Sequence, residues 1–264
     1  MEINLTGRRA LVTGSSQGIG LAIATELARA GATVIVNGRS QDKTDEAAKS
    51  ITNELPDADV VAIAADLATA EGAAALQAQA GQIDILVNNL GIFGSQPALE
   101  ISDEEWSRYF EVNVLSAVRL IRMYLPAMME RGWGRIMNIA SDSAVVIPIE
   151  MVHYGVTKTA LLGVSRGFAK VAAGTGVTVN SVIAGPTHTP GVEEFVAELV
   201  GDDRPWEEAQ RQFMREHRPQ SLIQRLIEPN EIGNLIVYLS SDLASATTGG
   251  AIRVDGGYVD AILP

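Results

Sequence analysis

Seven short apolar runs, at 8–13, 33–37, 59–64, 84–88, 134–139, 177–183 and 250–254, recur along the chain, and helical patterns lie between most of them. Strands that alternate with helices are joined by crossover connections and so lie parallel, with both faces of their sheet covered. The expected fold is therefore α/β: a doubly wound, Rossmann-type parallel sheet of about seven strands with helices on both faces. Ligands of such a sheet bind outside the carboxyl ends of the strands. The 264 residues, 47% of them hydrophobic, suffice for one large core, and no linker or composition break divides them. A single domain over 1–264 is expected.

The first strand leads into the most specific turn. Arg9-Ala-Leu-Val-Thr-Gly14 runs into Ser15-Ser-Gln-Gly18-Ile-Gly20, after which Leu21, Ile23, Ala24, Leu27 and Ala28 recur at helical spacing. Glycines placed between a buried strand and the first turn of a helix allow a tight turn and close approach of backbone to a pyrophosphate. Free helix N-terminal amides then attract its charge. This context predicts a dinucleotide site; a plain helix junction is the blander alternative. Tyr154 and Lys158, in His153-Tyr-Gly-Val-Thr-Lys158, stand four apart and so share one side of a helix. A cation there stabilises phenolate and makes Tyr a usable acid or base toward a carbonyl. The same spacing also occurs on solvated helix faces.

Charge and composition exclude other classes. A formal net charge of -12, with no basic cluster, argues against a nucleic-acid partner. No window approaches the uninterrupted apolar length of a membrane span, the N-terminus lacks a secretion signal, and a cytoplasmic protein is expected. The absence of cysteine excludes disulfides and thiolate chemistry, and the histidines at 153, 188 and 217 have no zinc spacing, so no metal is expected.

Thr13-Gly-Ser-Ser-Gln-Gly-Ile-Gly20, Asn88-Asn-Leu-Gly91, Asn113, Ser141 and Tyr154-x-x-x-Lys158 occur in the order and at the spacings of the short-chain dehydrogenases/reductases. The resemblance extends from about residue 5 to Gly257, and the chain looks most like bacterial 3-oxoacyl-carrier-protein-reductase-like enzymes. It implies hydride transfer between a nicotinamide dinucleotide and a ketone or secondary alcohol. By resemblance the catalytic residues are Asn113, Ser141, Tyr154 and Lys158. Tyr154 would exchange the proton, Ser141 would polarise the carbonyl, and Lys158 would hold the nicotinamide ribose and favour phenolate. Asn113 would position a water connecting Lys158 to solvent. Moving a Tyr pKa from ~10 toward ~7 takes roughly 4 kcal/mol of preferential phenolate stabilisation, which Lys158 and an oxidised nicotinamide could supply. Ser143 competes with Ser141 for the serine role.

The resemblance also implies the cofactor contacts. Gly14, Ser16, Gln17, Gly18, Ile19 and Gly20 would cradle the phosphates, Asn89 and Gly91 would lie by the adenosine ribose, and Asp66 and Leu67 would flank the adenine. Read without the resemblance, Asp66 is a helix cap. Leu90 stands where alanine is usual and could shift that turn or narrow the cleft. Gly185 would turn beneath the nicotinamide, with Thr187 or Thr189 binding its carboxamide; Ala184 replaces the usual proline, and Pro186 follows. At the end of the second strand Gly38 supplies no carboxylate, and Arg39 suits a ribose 2′-phosphate, which favours NADP over NAD. Ser16 and Gln17 add no second basic residue, and a merely solvated Arg39 is the alternative.

The segment 187–226 reads as two short helices forming a lid, with Val145-Val-Ile-Pro-Ile149 as the opposite wall. Phe93, Ile147, His153 and His188 join Ser141 and Tyr154 as candidate substrate contacts, both histidines also being readable as structural. The pocket shows no evident anion clamp, so a neutral or apolar carbonyl or alcohol is expected. A 3-oxoacyl-carrier-protein reductase, which would need basic residues such as Arg119, Arg122, Arg131 or Arg135 near the entrance, is the alternative. A nucleotide-binding sensor without turnover, or a dehydratase or epimerase on the same scaffold, are others. The apolar tail Tyr258-Val-Asp-Ala-Ile-Leu263 needs cover, and by resemblance a homotetramer or a homodimer supplies it.

Overall fold

The strand residues alternate between two buried layers. Ala10 and Val12 of β1 (Arg9–Val12) and Val34 and Val36 of β2 (Thr33–Gly38) join one core cluster, while Leu11 and Ile35 join the other. Two buried faces are what a sheet sandwiched by helices requires, and the computed structural model, which describes residues 3–201 and 205–262, has that form. The remaining strands are β3 (Val60–Ala64), β4 (Ile85–Asn88), β5 (Gly134–Ser141), β6 (Val177–Ala184) and β7 (Ala251–Val254). All neighbours are parallel, in the order β3-β2-β1-β4-β5-β6-β7, as in an α/β Rossmann-type fold. The order reverses between β1 and β4, in register at Leu11 and Leu86, and this crevice is where a doubly wound sheet takes its ligand.

On one face lie α1 (Gly18–Arg29), α2 (Gln41–Glu54) and α9 (Pro229–Leu239), which insert Ile23, Leu27, Ile51, Ile232 and Ile236. On the other lie α3 (Ala70–Ala80), α5 (Ser116–Arg131) and α6 (Val152–Val171), through Leu76, Leu120, Ile121, Leu125, Val164 and Phe168. Ahead of α5 come α4 (Asp103–Phe110) and a π-helical turn, Glu111–Leu115, which make one helical run of 103–131.

That run bears on the membrane expectation. Asp103–Arg131 is long and apolar enough to cross a membrane by length and composition, its most apolar 18-residue window having a mean hydropathy of 1.2. Half of its most apolar window is nevertheless buried inside the fold, so its apolarity is that of a helix facing a core.

The expected lid contains α7 (Pro190–Val200) and α8 (Trp206–His217). They enclose a third, separate cluster of Val196, Val200, Ala209, Phe213, Met214 and Leu226. Residues 202–204 of the lid, and Leu263 of the apolar tail, lie outside the described residues. Of that tail Val259 is buried and Ile262 is exposed.

Candidate active site

The turn after β1 is held by close backbone contacts. Gly14 and Gly18 have φ of 60° and 57°, in the left-handed region that favours glycine, and a Cβ on Gly20 would lie 2.4 Å from the Gly14 carbonyl oxygen. Thr13 Oγ1 accepts from the amides of Asn89 (3.0 Å) and Leu90 (2.9 Å), and Asn89 Nδ2 donates to the carbonyls of Thr13 and Gly14 (both 3.0 Å). Ser15 Oγ donates to Val12 O (2.7 Å) and accepts from Asn37 N (2.8 Å), which ties in β2. Leu90 packs partly onto the core, and its amide is held by Thr13, so the turn keeps its shape despite the departure from alanine.

Helices α3, α4 and α7 are capped by Thr69, Ser102 and Thr189, whereas α1 opens on an extended Gln17 with no side-chain cap and no acidic residue in its first turn. The amides of that turn are left to attract an anion, so the residues fit a dinucleotide pyrophosphate. Beside it, a recess of 210 Å³ is lined by Ser16, Gly38, Arg39, Leu67, Asn89 and Gly91, among others. Asp66 is not part of this lining. Its Oδ1 accepts from Ala68 N at 3.1 Å, as the turn-capping reading expects. A Cβ at Gly38 would meet Thr44 Oγ1 at 2.8 Å, leaving little room for the carboxylate that recognises a ribose 2′-hydroxyl.

At the next two strand ends, β5 delivers Ser141 and α6 carries Tyr154 and Lys158 into a cleft of 280 Å³. Lys158 is buried, with Nζ 2.8 Å from Ile139 O and 5.6 Å from the Tyr154 ring centre. A Cβ on Gly91 would come within 3.3 Å of that Nζ, so the glycine keeps the approach open. Burial lowers the Lys158 pKa to about 8. Burial also raises the Tyr154 phenol, an effect that a hydrogen bond with Ser141 opposes and the Asp142 charge reinforces. The resting phenol therefore keeps its proton, as a proton donor must.

Asn113 lies in the π-helical turn, buried beneath the cleft. Its Oδ1 accepts from Ile92 N (2.8 Å) and its Nδ2 donates to Ile92 O and Thr157 Oγ1 (both 3.0 Å). It thereby joins the chain after β4 to α6, one residue from Lys158.

Residues 14–259 match the family model described as enoyl-(acyl carrier protein) reductase. The uncharacterized oxidoreductase YvaG of Bacillus subtilis is 47% identical over 99% of this chain and 100% of its own length. The 3-oxoacyl-[acyl-carrier-protein] reductase of Aquifex aeolicus is 33% identical over 97% of this chain and 99% of its own. Among solved structures, L-sorbose reductase from Gluconobacter frateurii, complexed with NADPH and L-sorbose, superposes with a TM-score of 0.92 at 36% identity, covering 99% of this chain and 100% of that one. The chain belongs to the short-chain dehydrogenase/reductase family. It is an NAD(P)-dependent oxidoreductase of that family.

In this short-chain dehydrogenase/reductase the main cleft also gathers Gly14, Gln17, Gly18, Ile19, Gly20, Asn89, Gly91, Phe93, Gly185, Thr187 and Thr189. The irregular turn after β6 is kept: Gly185 N donates to Val254 O and Pro186 O accepts from Ile227 N. Thr187 Oγ1 donates to Gly185 O (2.8 Å), so its proton is engaged. Thr189 Oγ1 accepts from Val192 N (3.3 Å), which leaves its proton for a carboxamide.

Three expected substrate contacts lie elsewhere. His153 is buried against α4, its ring 3.9 Å from that of Tyr109, because position 153 falls on the face of α6 turned from the cleft. His188 is held at the lid base by Glu193 (2.7 Å) and stacks on Trp206. Ile147 is half-exposed and packs over Gly155. A cation that the expectation of a pocket without an evident anion clamp did not name, Arg218 just past α8, also lines the cleft. So does Asp142, between the two competing serines. An acidic residue directly after the strand-ending serine was the available signal for Asp142, whereas Arg218 is one of several arginines in a charged lid segment.

Proposed function

We propose that this enzyme interconverts a neutral ketone and its secondary alcohol with NADP(H), using Tyr154 as general acid and base. The observation that carries the reading is the convergence of Ser141, Tyr154 and Lys158 on one cleft continuous with the uncapped N-terminus of α1. A nicotinamide held in this cleft would supply hydride to the carbonyl carbon or take it back. Tyr154 Oη gives its proton to the carbonyl oxygen in reduction and recovers it in oxidation. Ser141 holds and polarises that oxygen. Lys158, charged below a pKa of about 8, stabilises the phenolate left behind. Asn113 holds the chain beneath Lys158, where a water would refill the proton.

Arg39, with no carboxylate at Gly38, favours a 2′-phosphate and hence NADP. The NADPH bound by L-sorbose reductase supports the same choice. A carrier-protein substrate is less well served. Arg119 is engaged by Ala68 O and Glu111, Arg131 by Ile83 O, and Arg135 is buried under Ser241, while Arg122 is exposed on α5. The same reading gives one catalytic domain over 1–264, with 187–226 as its lid and a homotetramer or homodimer covering the apolar tail.

The test is a paired NADPH and NADH turnover screen against diverse carbonyls, with Tyr154→Phe alongside. NADPH should give the higher kcat/KM, and the variant should lose about a thousandfold in kcat with NADPH affinity nearly unchanged. A strong preference for NADH would reverse the cofactor choice, and a variant that kept most of its activity would remove Tyr154 as proton donor.

A further inference from the structure

Asp142 follows Ser141 directly and is 6% exposed. Every hydrogen-bond donor that reaches its carboxyl converges on one oxygen. Oδ1 accepts from Ser143 N at 2.7 Å and Ser141 Oγ at 2.8 Å, with Ser143 Oγ at 3.4 Å, while Oδ2 is buried with no partner among the described residues. Burial pushes this carboxyl up, and Ser141 and then Arg218 pull it back. Arg218 repeats the pattern with opposite sign. Its Nη1 donates to His217 O at 2.7 Å, but its Nε is buried and unpartnered among the described residues. Its guanidinium carbon stands 5.4 Å from the rings of both Phe213 and Tyr258, so the lid and the C-terminal segment hold it in place. Both residues line the cleft that contains Ser141 and Tyr154.

A buried polar atom without a partner is costly, and more so when its group is charged. Here one acceptor and one donor are left unpaired on residues that line the same cleft as the reacting hydroxyls. An alkyl ketone would satisfy neither. A hydroxyl group satisfies both kinds, because it donates one hydrogen bond and accepts others. The opposite charges of carboxylate and guanidinium also offset one another, so the pair presents little net field to an anionic substrate.

We propose that Asp142 and Arg218 select a neutral carbonyl or alcohol substrate bearing hydroxyl groups next to the reacting carbon. Asp142 Oδ2 accepts from one substrate hydroxyl, and Arg218 donates to the oxygen of another. This rests on the reductase reading above and narrows its substrate class.

The experiment measures kcat/KM with NADPH for matched pairs: dihydroxyacetone against acetone, and fructose against the unbranched six-carbon methyl ketone. The wild-type enzyme should favour the hydroxylated member by about tenfold or more, as expected for hydrogen bonds to charged groups. Asp142→Asn and Arg218→Gln should each shrink that ratio by about tenfold. The ratio is the readout because Asp142 also holds Ser141, so absolute rates fall as well. Arg218→Gln lies on a different element and keeps the test open should Asp142→Asn not fold. A wild-type ratio near one, or a ratio unmoved by both variants, would overturn the inference and leave the reductase reading standing. If no probe is turned over with either cofactor, the reductase reading fails. Calorimetry of fructose into NADPH-loaded Tyr154→Phe protein then decides: binding weakened about tenfold by adding Asp142→Asn supports the selection, and no binding overturns it.

Discussion

The turns after β1 and β4 and those after β5 and β6 sit along one edge of one sheet, but their polar groups are used differently. In the first pair Thr13, Ser15, Asn37 and Asn89 bond to neighbouring backbone, and most of these contacts tie one strand end to the next. Around the second pair Asp142 and, from the lid, Arg218 each keep an unpartnered polar atom, and that lid has a hydrophobic cluster of its own. A binding surface that must recognise one invariant ligand can be fixed by the chain itself. A surface that defines an enzyme's individual substrate keeps unsatisfied groups for that substrate to complete.

The hardest break in this contrast comes from Gly20→Ala. The new Cβ would meet the Gly14 carbonyl at 2.4 Å, a backbone contact that no rotamer relieves. A loss of about 3 kcal/mol is expected, with dinucleotide affinity falling about a hundredfold, as overpacking of a rigid site predicts. Thermal unfolding and nucleotide fluorescence titration check both, and normal affinity would show that the first turn yields more than its contacts suggest.

Phe213→Ala tests the other side. Phe213 is 1% exposed in the lid cluster, and truncating a buried Phe costs about 3–5 kcal/mol. Because that cluster is separate from the two sheet cores, the loss should appear as faster amide exchange in 190–217 and a KM raised about tenfold, with NADPH affinity changed less than about twofold. Equal losses of substrate and cofactor binding would join the two regions into one unit.

The smallest effect is expected at the seam, at Lys158. Its folded pKa of about 8 lies below the ordinary ~10.4, so between those values the unfolded chain binds more protons than the folded one. Stability therefore rises as pH climbs from 8 toward 10, and below 8 the penalty for burying the ammonium is fully present. Tyr154 shifts the opposite way, and its contribution is lost only above ~10, outside this window. Lys158→Met should raise the Tm of the cofactor-free protein at pH 7 by about 5 °C, with the gap closing by pH 10. A gap independent of pH would assign the effect to packing.

The strands were legible because parallel strands buried on both faces are continuous apolar runs, and all seven stand within two residues of their expected bounds. The convergence of Ser141, Tyr154 and Lys158 on one cleft was legible through motif spacing, since they sit on regular elements whose positions follow from the fold. Side-chain direction was less accessible. His153 neighbours Tyr154 in sequence yet lies on another face of α6, and Asp66 is claimed by its own turn. The convergence of Asp142 and Arg218 on one cleft depends on the path of the lid, across a gap of many residues and an irregular segment. No periodicity encodes that distance.

The uncapped first turn of α1 has a consequence beyond recognition. A helix whose opening amides await an anion is completed by its ligand, so the dinucleotide doubles as a structural part of the protein. At a free concentration one hundred times its dissociation constant, such a ligand adds about 2.7 kcal/mol to folding stability. The amount of working enzyme in a cell would then follow the size of the dinucleotide pool, and starvation for the cofactor would reduce the protein as well as its turnover.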